Sequence, residues 1–210
     1  MRPLTRLVLG LAAAVAVVLV ASAVRPYDRT TWWLEVFPIL LAAPLLAATY
    51  RRFPLTPLLY VLIALHATIL AVGGHYTYAR VPLGFWIQDL FGLARNHYDR
   101  LGHLAQGFVP AIAAREILIR LDVVRRRGWR FFLVLTICLA ISVFYEFIEW
   151  WTALVAGGGA TEFLGTQGDP WDTQWDMFLA GLGAIAAQLA LGRAHDRQLA
   201  RLASGGPEAE

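Results

Sequence analysis

Six apolar runs, each close to the length of a bilayer crossing, constrain this 210-residue chain more than any other feature. A transmembrane helix needs about 20 mostly apolar residues. The runs extend over Leu7–Val24, Trp32–Tyr50, Leu58–Gly74, Asp99–Ile119, Trp129–Trp151 and Thr173–Gly192. With 58% hydrophobic residues in the whole chain, they predict an all-α fold: a polytopic membrane helical bundle with about six transmembrane helices.

No repeat or low-complexity segment divides the chain, so we expect residues 1–203 to form a single transmembrane domain and residues 204–210 a disordered tail. The connection between the third and fourth runs is apolar on one side and predicts a short interfacial helix. Tryptophans near the ends of the runs fit an aromatic belt at the membrane surfaces. They are Trp32, Trp33, Trp150, Trp151, Trp171 and Trp175.

The arginines predict the orientation of the bundle. All 18 basic residues are arginine. Twelve of them gather at alternate ends of the runs: Arg2, Arg6, Arg51, Arg52, Arg120, Arg125, Arg126, Arg127, Arg130, Arg193, Arg197 and Arg201. Because arginines in short loops stay in the cytoplasm, we expect both termini to be cytoplasmic. The connection from Thr152 to Asp172 carries acids and no arginine, so it is expected outside. The first run, preceded by Arg2 and Arg6, also fits a cleavable signal peptide, an alternative that leaves the other spans unchanged.

Composition excludes some classes of partner and site. The net charge of +3 comes from loop arginines, and no basic groove with interleaved aromatic residues indicates a nucleic-acid partner. Cys138 is the one cysteine, which excludes an internal disulfide and a cysteine-based zinc site; we expect it in the core. The expected partner is the lipid bilayer.

Two glutamates near the end of the fifth run demand an explanation. Glu146 and Glu149 follow Ser142 on one helical face, at the end expected outside. An ionised carboxylate at the centre of a membrane helix costs about 3 kcal/mol on insertion scales unless it is partnered. The alternative is that both are interfacial glutamates in contact with external water.

Polar residues at the start of the fourth run lie at the same expected depth. Asp99, His103 and Gln106 have spacings of four and three, which place them on one helical face. An aspartate four residues from a histidine can supply two metal ligands or orient the imidazole for proton transfer. Alternatively, Asp99 caps the helix and His103 hydrogen-bonds a neighbouring helix.

The sixth run begins with a helix-start pattern. Asp169 suits the N-cap and Pro170 the first helical position, whereas Asp176 lies a turn deeper than Asp172. Small residues beyond it predict a face for close helix packing. They are Ala180, Gly183 and Ala187.

Four further ionisable residues lie within the runs or at their ends. His75 closes the third run at the outer boundary, whereas His66 is deeper and is expected to be a hydrogen-bonded packing residue. Arg115 and Glu116, toward the inner end of the fourth run, are expected to pair with each other.

Four outer helix ends therefore contribute imidazoles and carboxylates to one region. These groups must be protonated, paired with Arg95 or Arg100, or bound to a cation. Histidine with carboxylates suits zinc, manganese or iron, so a divalent metal ion is a possible cofactor. We predict His75, Asp99, His103 and Asp176 as metal ligands. If the protein is a hydrolase, Glu146 or Glu149 is its catalytic general base.

Four segments together resemble the YjdF-like family of bacterial inner-membrane proteins. They are His75–Tyr78, Asn96–His103, Glu146–Trp150 and Gly165–Asp176. The resemblance implies a multi-span protein of the bacterial inner (plasma) membrane without supplying a reaction. A more remote likeness, to VanZ-like membrane proteins, rests on Asp99–His103 and on Asp176–Gly183, where Ala180 replaces an expected Asn. It implies envelope or lipid-linked processes.

The sequence predicts a protein with an outward-facing histidine and carboxylate pocket that binds, or acts on, an envelope lipid or its head group. Two alternatives stay open: a proton-coupled permease, and a non-enzymatic accessory membrane protein. Against the permease, the ionisable residues cluster near one surface.

Overall fold

The computed structural model of the protein describes residues 3–156 and 161–204. The predicted all-α fold is confirmed, because this part of the chain contains helices and no strand. The long helices are α1 (Pro3–Ala23), α2 (Arg29–Thr49), α3 (Pro57–Tyr76), α5 (Tyr98–Arg120), α6 (Arg127–Ala156) and α8 (Asp172–Ala203). The short ones are α4 (Pro82–Phe91) and α7 (Thr161–Leu164), and a 3₁₀ turn covers Tyr78–Arg80.

Five of the long helices, all except α5, are long and apolar enough to cross a membrane. Helix α5 has 23 residues and a span of about 35 Å, but its polar first half lowers its hydropathy. It packs against α3, α6 and α8, which makes it the central helix of the bundle. The interpretation of α5 as a sixth span therefore rests on length and packing.

Consecutive long helices run in opposite directions, so the bundle has two chemically distinct ends. At one end Thr5 Oγ1 lies 2.9 Å from the Tyr50 hydroxyl, joining the start of α1 to the end of α2. The loop from α5 to α6 and the end of α8 also lie there; we call it the arginine-rich end. Helices α5 and α8 begin at the opposite end, which we call the acidic end.

Helix α1 is fastened to the bundle at the acidic end by Ser22. The Ser22 hydroxyl accepts a hydrogen bond of 2.9 Å from the indole Nε1 of Trp32. Trp32 is only 5% exposed and packs with Val36 and Ala71. Its expected place in the aromatic belt is therefore wrong, because the indole N–H finds a buried partner. The other predicted belt tryptophans are exposed, as is the apolar face of α4.

The closest helix contact joins α5 and α8 through small residues. A Cβ atom on Gly107 would lie 1.8 Å from the Ala180 carbonyl oxygen, and one on Gly183 would lie 2.1 Å from that of Leu104. Ala180 and Ala187 are fully buried. The predicted small-residue face is thus confirmed, and Cys138 lies in the adjacent apolar core, as expected.

A buried polar network lies toward the arginine-rich end, and it corrects the expected pairing of Arg115 with Glu116. Arg115 donates to Nδ1 of His195 at 2.9 Å and pairs with Asp196 at 2.6 Å. Nε2 of His195 lies 2.9 Å from Glu116, which also accepts from the Thr56 hydroxyl. Because α8 continues past the predicted end at Gly192, its last turns supply the partners that Arg115 and Glu116 need.

Helix α8 begins later than expected. Its N-cap position is Trp171, so Pro170 lies before the helix and Asp169 is not the N-cap. Asp169 instead accepts a hydrogen bond of 3.0 Å from the Trp171 backbone N–H and pairs with Arg95 and Arg100. The two guanidinium groups hold this carboxylate in a turn. Of the predicted tail, all but Ser204 lies outside the described residues. The side chain of Glu162, one of the acids in the connection from Thr152 to Asp172, also lies outside them.

We predict that Gly183→Ala and Gly107→Ala each destabilise the protein, because the added methyl group meets backbone that can move only with its helix. Overpacking of this kind costs about 1–3 kcal/mol. Thermal unfolding of detergent-solubilised protein measures the effect. Gly10→Ala is the control, since a Cβ atom there meets nothing within 4 Å. Equal melting temperatures for Gly183→Ala and Gly10→Ala would contradict the close contact.

Candidate functional site

A cavity of about 350 Å³ lies between α2, α3, α5 and α6. Its polar lining is concentrated toward the acidic end, where Glu35, Asp99, His103 and Glu149 face it. The remainder is mostly apolar. This part is lined by residues that include Ala42, Leu45, Leu46, Ile63, Val109, Pro110 and Ala113. One cavity therefore joins an ionisable chamber to an apolar one.

His103 lies at the centre of the ionisable chamber and is almost fully buried. Its Nε2 is 3.5 Å from Oδ1 of Asp99 and 3.8 Å from Oδ1 of Asp176. The two aspartates come from α5 and α8, and the close crossing of these helices brings them to the same imidazole. Spacing along α5 predicted the Asp99 contact, whereas the Asp176 contact depends on packing.

Gln106 fixes which nitrogen of His103 faces the carboxylates. In the placed orientation of the amide, Oε1 of Gln106 lies 3.1 Å from Nδ1 of His103. An amide oxygen only accepts, so in this orientation Nδ1 carries a hydrogen. Nε2 faces Asp99 and Asp176, where it donates to the carboxylates when the ring is protonated and is a potential metal ligand when it is not.

Glu146 and Glu149 lie on the α6 side of His103. One ligand atom from each glutamate and one from His103 lie within 4.8 Å of one another, and Asp99, His103 and Asp176 form a second such group. Glu146 is 7% exposed, and neither of its carboxylate oxygens has a hydrogen-bond partner of ordinary geometry, although Thr173 lies nearby. Oδ1 of Asp176 also lacks one, and Asp176 is 2% exposed.

Arginine does not neutralise this group. Arg95 pairs with Asp172 at 2.7 Å and Asp169 at 3.2 Å, and it also donates to the Thr166 carbonyl. Arg100 pairs with Asp169 at 3.1 Å. Asp172 therefore belongs to a separate ion-pair network beside the chamber. His97, next to that network and outside the spans, is no substitute cation, because burial and the guanidinium groups of Arg100 and Arg95 lower its pKa.

Glu35 is the chamber residue that the sequence analysis missed. It is buried on α2 and accepts a hydrogen bond of 3.3 Å from the Tyr145 hydroxyl, while Tyr78 faces it from the 3₁₀ turn. An acid within the apolar run Trp32–Tyr50 was the same signal that singled out Glu146. Its partners come from α6 and the 3₁₀ turn, which spacing within one helix does not reveal.

Two of the histidines are placed differently from expectation. Nδ1 of His75 lies 2.9 Å from the Ser22 carbonyl oxygen, and the ring packs on Tyr76, so the structure does not bring His75 to His103. His66 lines the apolar part of the cavity, and its Nε2 has no hydrogen-bond partner among the described residues. The expectation of a hydrogen-bonded His66 is therefore wrong, because the cavity leaves that nitrogen without a neighbour.

The chamber thus holds more acidic than basic side chains. Five carboxylates surround one imidazole: Glu35, Asp99, Glu146, Glu149 and Asp176. No arginine pairs with any of them in the described parts of the chain. Buried carboxylates in this number share protons or bind a cation. We call these five residues with His103 the carboxylate cluster.

Comparison with known proteins agrees with this architecture. A family model described as "Predicted membrane protein (DUF2238)" matches residues 7–197. The chain belongs to the DUF2238 family. It is also 55% identical to the inner membrane protein YjdF of Escherichia coli (strain K12) over 201 residues, which cover 95% of this chain and 96% of the relative. No solved structure matches.

Membership of the DUF2238 family confirms the resemblance to YjdF-like proteins and identifies a multi-pass inner-membrane protein. The matched region contains the whole carboxylate cluster and the α5–α8 contact. The likeness to VanZ-like proteins gains no support from these matches. The family's description names no reaction, so the chemistry has to be argued from the cluster itself.

We predict opposite effects for two neutral amide substitutions in chelator-treated protein. Glu146→Gln should leave stability unchanged or raise the melting temperature, because it removes charge from a group with excess negative charge. Asp172→Asn should lower stability by about 1–3 kcal/mol, because it removes the carboxylate that lies 2.7 Å from the half-buried Arg95. Thermal unfolding in a metal chelator measures both. A destabilised Glu146→Gln protein would show that Glu146 has a stabilising cationic partner.

Proposed function

We propose that the carboxylate cluster is a divalent-metal site that binds an envelope lipid by its head group and hydrolyses it. The observation that carries this proposal is the state of the buried carboxylates. Both oxygens of Glu146 and one of Asp176 lack ordinary hydrogen bonds while lying beside His103. Such groups are costly in a membrane protein, and a bound cation would compensate them.

The spacing of the ligand atoms supports a metal at Nε2 of His103. Ligands at about 2.1 Å from a tetrahedral metal lie about 3.4 Å apart. The separations from Nε2 to Asp99 and Asp176, 3.5 and 3.8 Å, need only a small contraction to reach that value. His103, Asp99 and Asp176 are thus the proposed ligands. His75 is left out of this set because it bonds Ser22 instead.

Glu149 is the proposed general base. It faces the cavity, whereas Glu146 is deeper and would complete the negative surroundings of the metal. A divalent metal lowers the pKa of a bound water and polarises a phosphoryl or carbonyl oxygen. A carboxylate beside that water can take its proton. These roles require the acidic end to face outward, as the distribution of arginine predicts.

The permease alternative is less well supported. Between Gln106 and Arg115, helix α5 carries no ionisable residue over eight positions, or about 12 Å. The network of Arg115, His195 and Glu116 is also closed, because its polar groups are committed to one another. A proton path along α5 would have to cross this gap.

We predict that the purified protein binds one divalent metal and that His103→Ala and Asp176→Asn abolish binding. Gln106→Leu should weaken affinity by about 10- to 100-fold, since it frees the imidazole to rotate. Elemental analysis and titration with Zn²⁺ and Mn²⁺ measure these effects. His66→Ala is the matched control, because that histidine lines the same cavity away from the carboxylates. Equal metal content in His103→Ala and His66→Ala would refute the site.

We further predict that Glu149→Gln keeps the metal but loses hydrolysis by about 100-fold or more, within the range for removal of a general base. The assay follows release of water-soluble head group from phospholipid vesicles containing the protein, with and without a chelator. Asp122→Asn, an exposed carboxylate in the loop after α5, is the control. Chelator-resistant release, or release by Glu149→Gln at the rate of the control, would refute metal-dependent hydrolysis.

A further inference from the structure

We infer that the cavity holds one acyl chain of a phospholipid whose head group carries an amine, and that this lipid enters from the bilayer between α2 and α6. The inference rests on the proposed function and names the class of lipid and its route. It follows from the depth of the cavity, its open side, an adjoining apolar groove and the chemistry around Glu35.

The depth of the cavity matches one leaflet of a bilayer. Asp99 and Ala113 both line it and lie fourteen positions apart on α5, which corresponds to about 21 Å. One leaflet is about 21 Å thick with its head groups, half of the full bilayer, and about 15 Å of this is hydrocarbon. A lipid whose acyl chain lies against Val109 and Ala113 would therefore have its head group at the carboxylate cluster.

The open side of the cavity faces the bilayer. Leu45 on α2 and Ile141 on α6 line the cavity and yet are 63% and 42% exposed, so its rim reaches the outer surface of the bundle. Helix α2 packs on α3 and scarcely approaches α5 or α6. Near the acidic end α7 contacts both α2 and α6, which bridges the gap there. Lateral entry is therefore the open route.

A second acyl chain of the lipid can lie beside the first. A shallow apolar groove runs along α6 and is lined by Ile137, Ala140, Ile141, Phe144, Tyr145 and Ile148. Ile141 and Tyr145 also line the cavity, so the groove adjoins it across one residue layer. A lipid with two chains would straddle this layer, with one chain inside and the other on the groove.

Glu35 identifies the head group. It belongs to neither group of metal-ligand atoms, so a bound metal leaves its carboxylate facing the cavity. Tyr145 donates to it and Tyr78 lies beside it. A carboxylate flanked by two phenol oxygens suits an ammonium group, which pairs with the carboxylate and can donate to the hydroxyl oxygens. The phosphate of a zwitterionic head group would then lie toward the metal.

The test uses full-length protein extracted in detergent and freed of bulk lipid. Native mass spectrometry counts the retained lipid, and extraction with chromatography identifies it. Ala42→Phe with Ala113→Phe fills the cavity from opposite walls, and Ala13→Phe adds the same bulk on the exposed face of α1. We expect one phosphatidylethanolamine per wild-type and Ala13→Phe molecule, and an affinity lowered about tenfold or more in the filled variant. If the double variant does not fold, each single substitution is tested in its place.

Head-group preference is tested by adding back phosphatidylethanolamine or phosphatidylglycerol. Wild type should prefer the amine-bearing lipid. The Glu35→Gln protein should lose that preference but still bind the acyl chain in the cavity. Equal binding of the two lipids by wild type overturns the ammonium site. Equal retention of lipid by the filled variant and by Ala13→Phe overturns the acyl-chain site. Metal content of the same samples tests the proposed function separately, since cavity-dependent lipid without metal refutes the metal centre and leaves the lipid site standing.

Discussion

The close crossing of α5 and α8 is the constraint on which the rest of the structure depends. Glycine at 107 and 183 lets the two backbones approach to a distance that a single methyl group would prevent. In a membrane, where lipid is as apolar as the helix surface, this close packing supplies much of the association energy. The crossing also sets His103 against Asp176 at one end and Arg115 against His195 at the other. Both polar clusters therefore depend on one apolar contact.

The two clusters are built differently. At the arginine-rich end, Arg115 donates to His195, which fixes the other imidazole nitrogen as the donor to Glu116. Every charge there has a partner, as a structural network requires. At the acidic end, the carboxylates outnumber their partners, and buried oxygens remain without hydrogen bonds. This difference in hydrogen bonding is the reason we propose that the acidic end is the functional one.

The sequence predicted helices well because apolar run length is a local property. The runs beginning at Leu58 and Asp99 agree with α3 and α5 to within two residues at each end. It also predicted that Asp99, His103 and Glu149 share a depth. The direction of a side chain is not local: His75 has the right depth, yet Ser22 on α1 holds its ring elsewhere.

Glu35 shows the opposite failure. Its position in an apolar run was visible, but its role depends on Tyr145 and on a 3₁₀ turn far along the chain. Likewise, α8 extends past its predicted end at Gly192. His195 is buried against α5 there, and Asp196 pairs with Arg115 of α5. The hydropathy pattern excludes these polar residues from the span, but their tertiary partners keep them in the helix.

The polarity of α5 has a consequence for how the protein is made. Helix α5 alone among the long helices is too polar to partition into a bilayer by its own composition. Its buried face is covered chiefly by α8, which begins about fifty residues after α5 ends and therefore leaves the ribosome later. Until α8 arrives, Asp99, His103 and Arg115 lack their final neighbours. We therefore expect α5 to be held back, or sheltered by α3 and α6, until α8 packs against it.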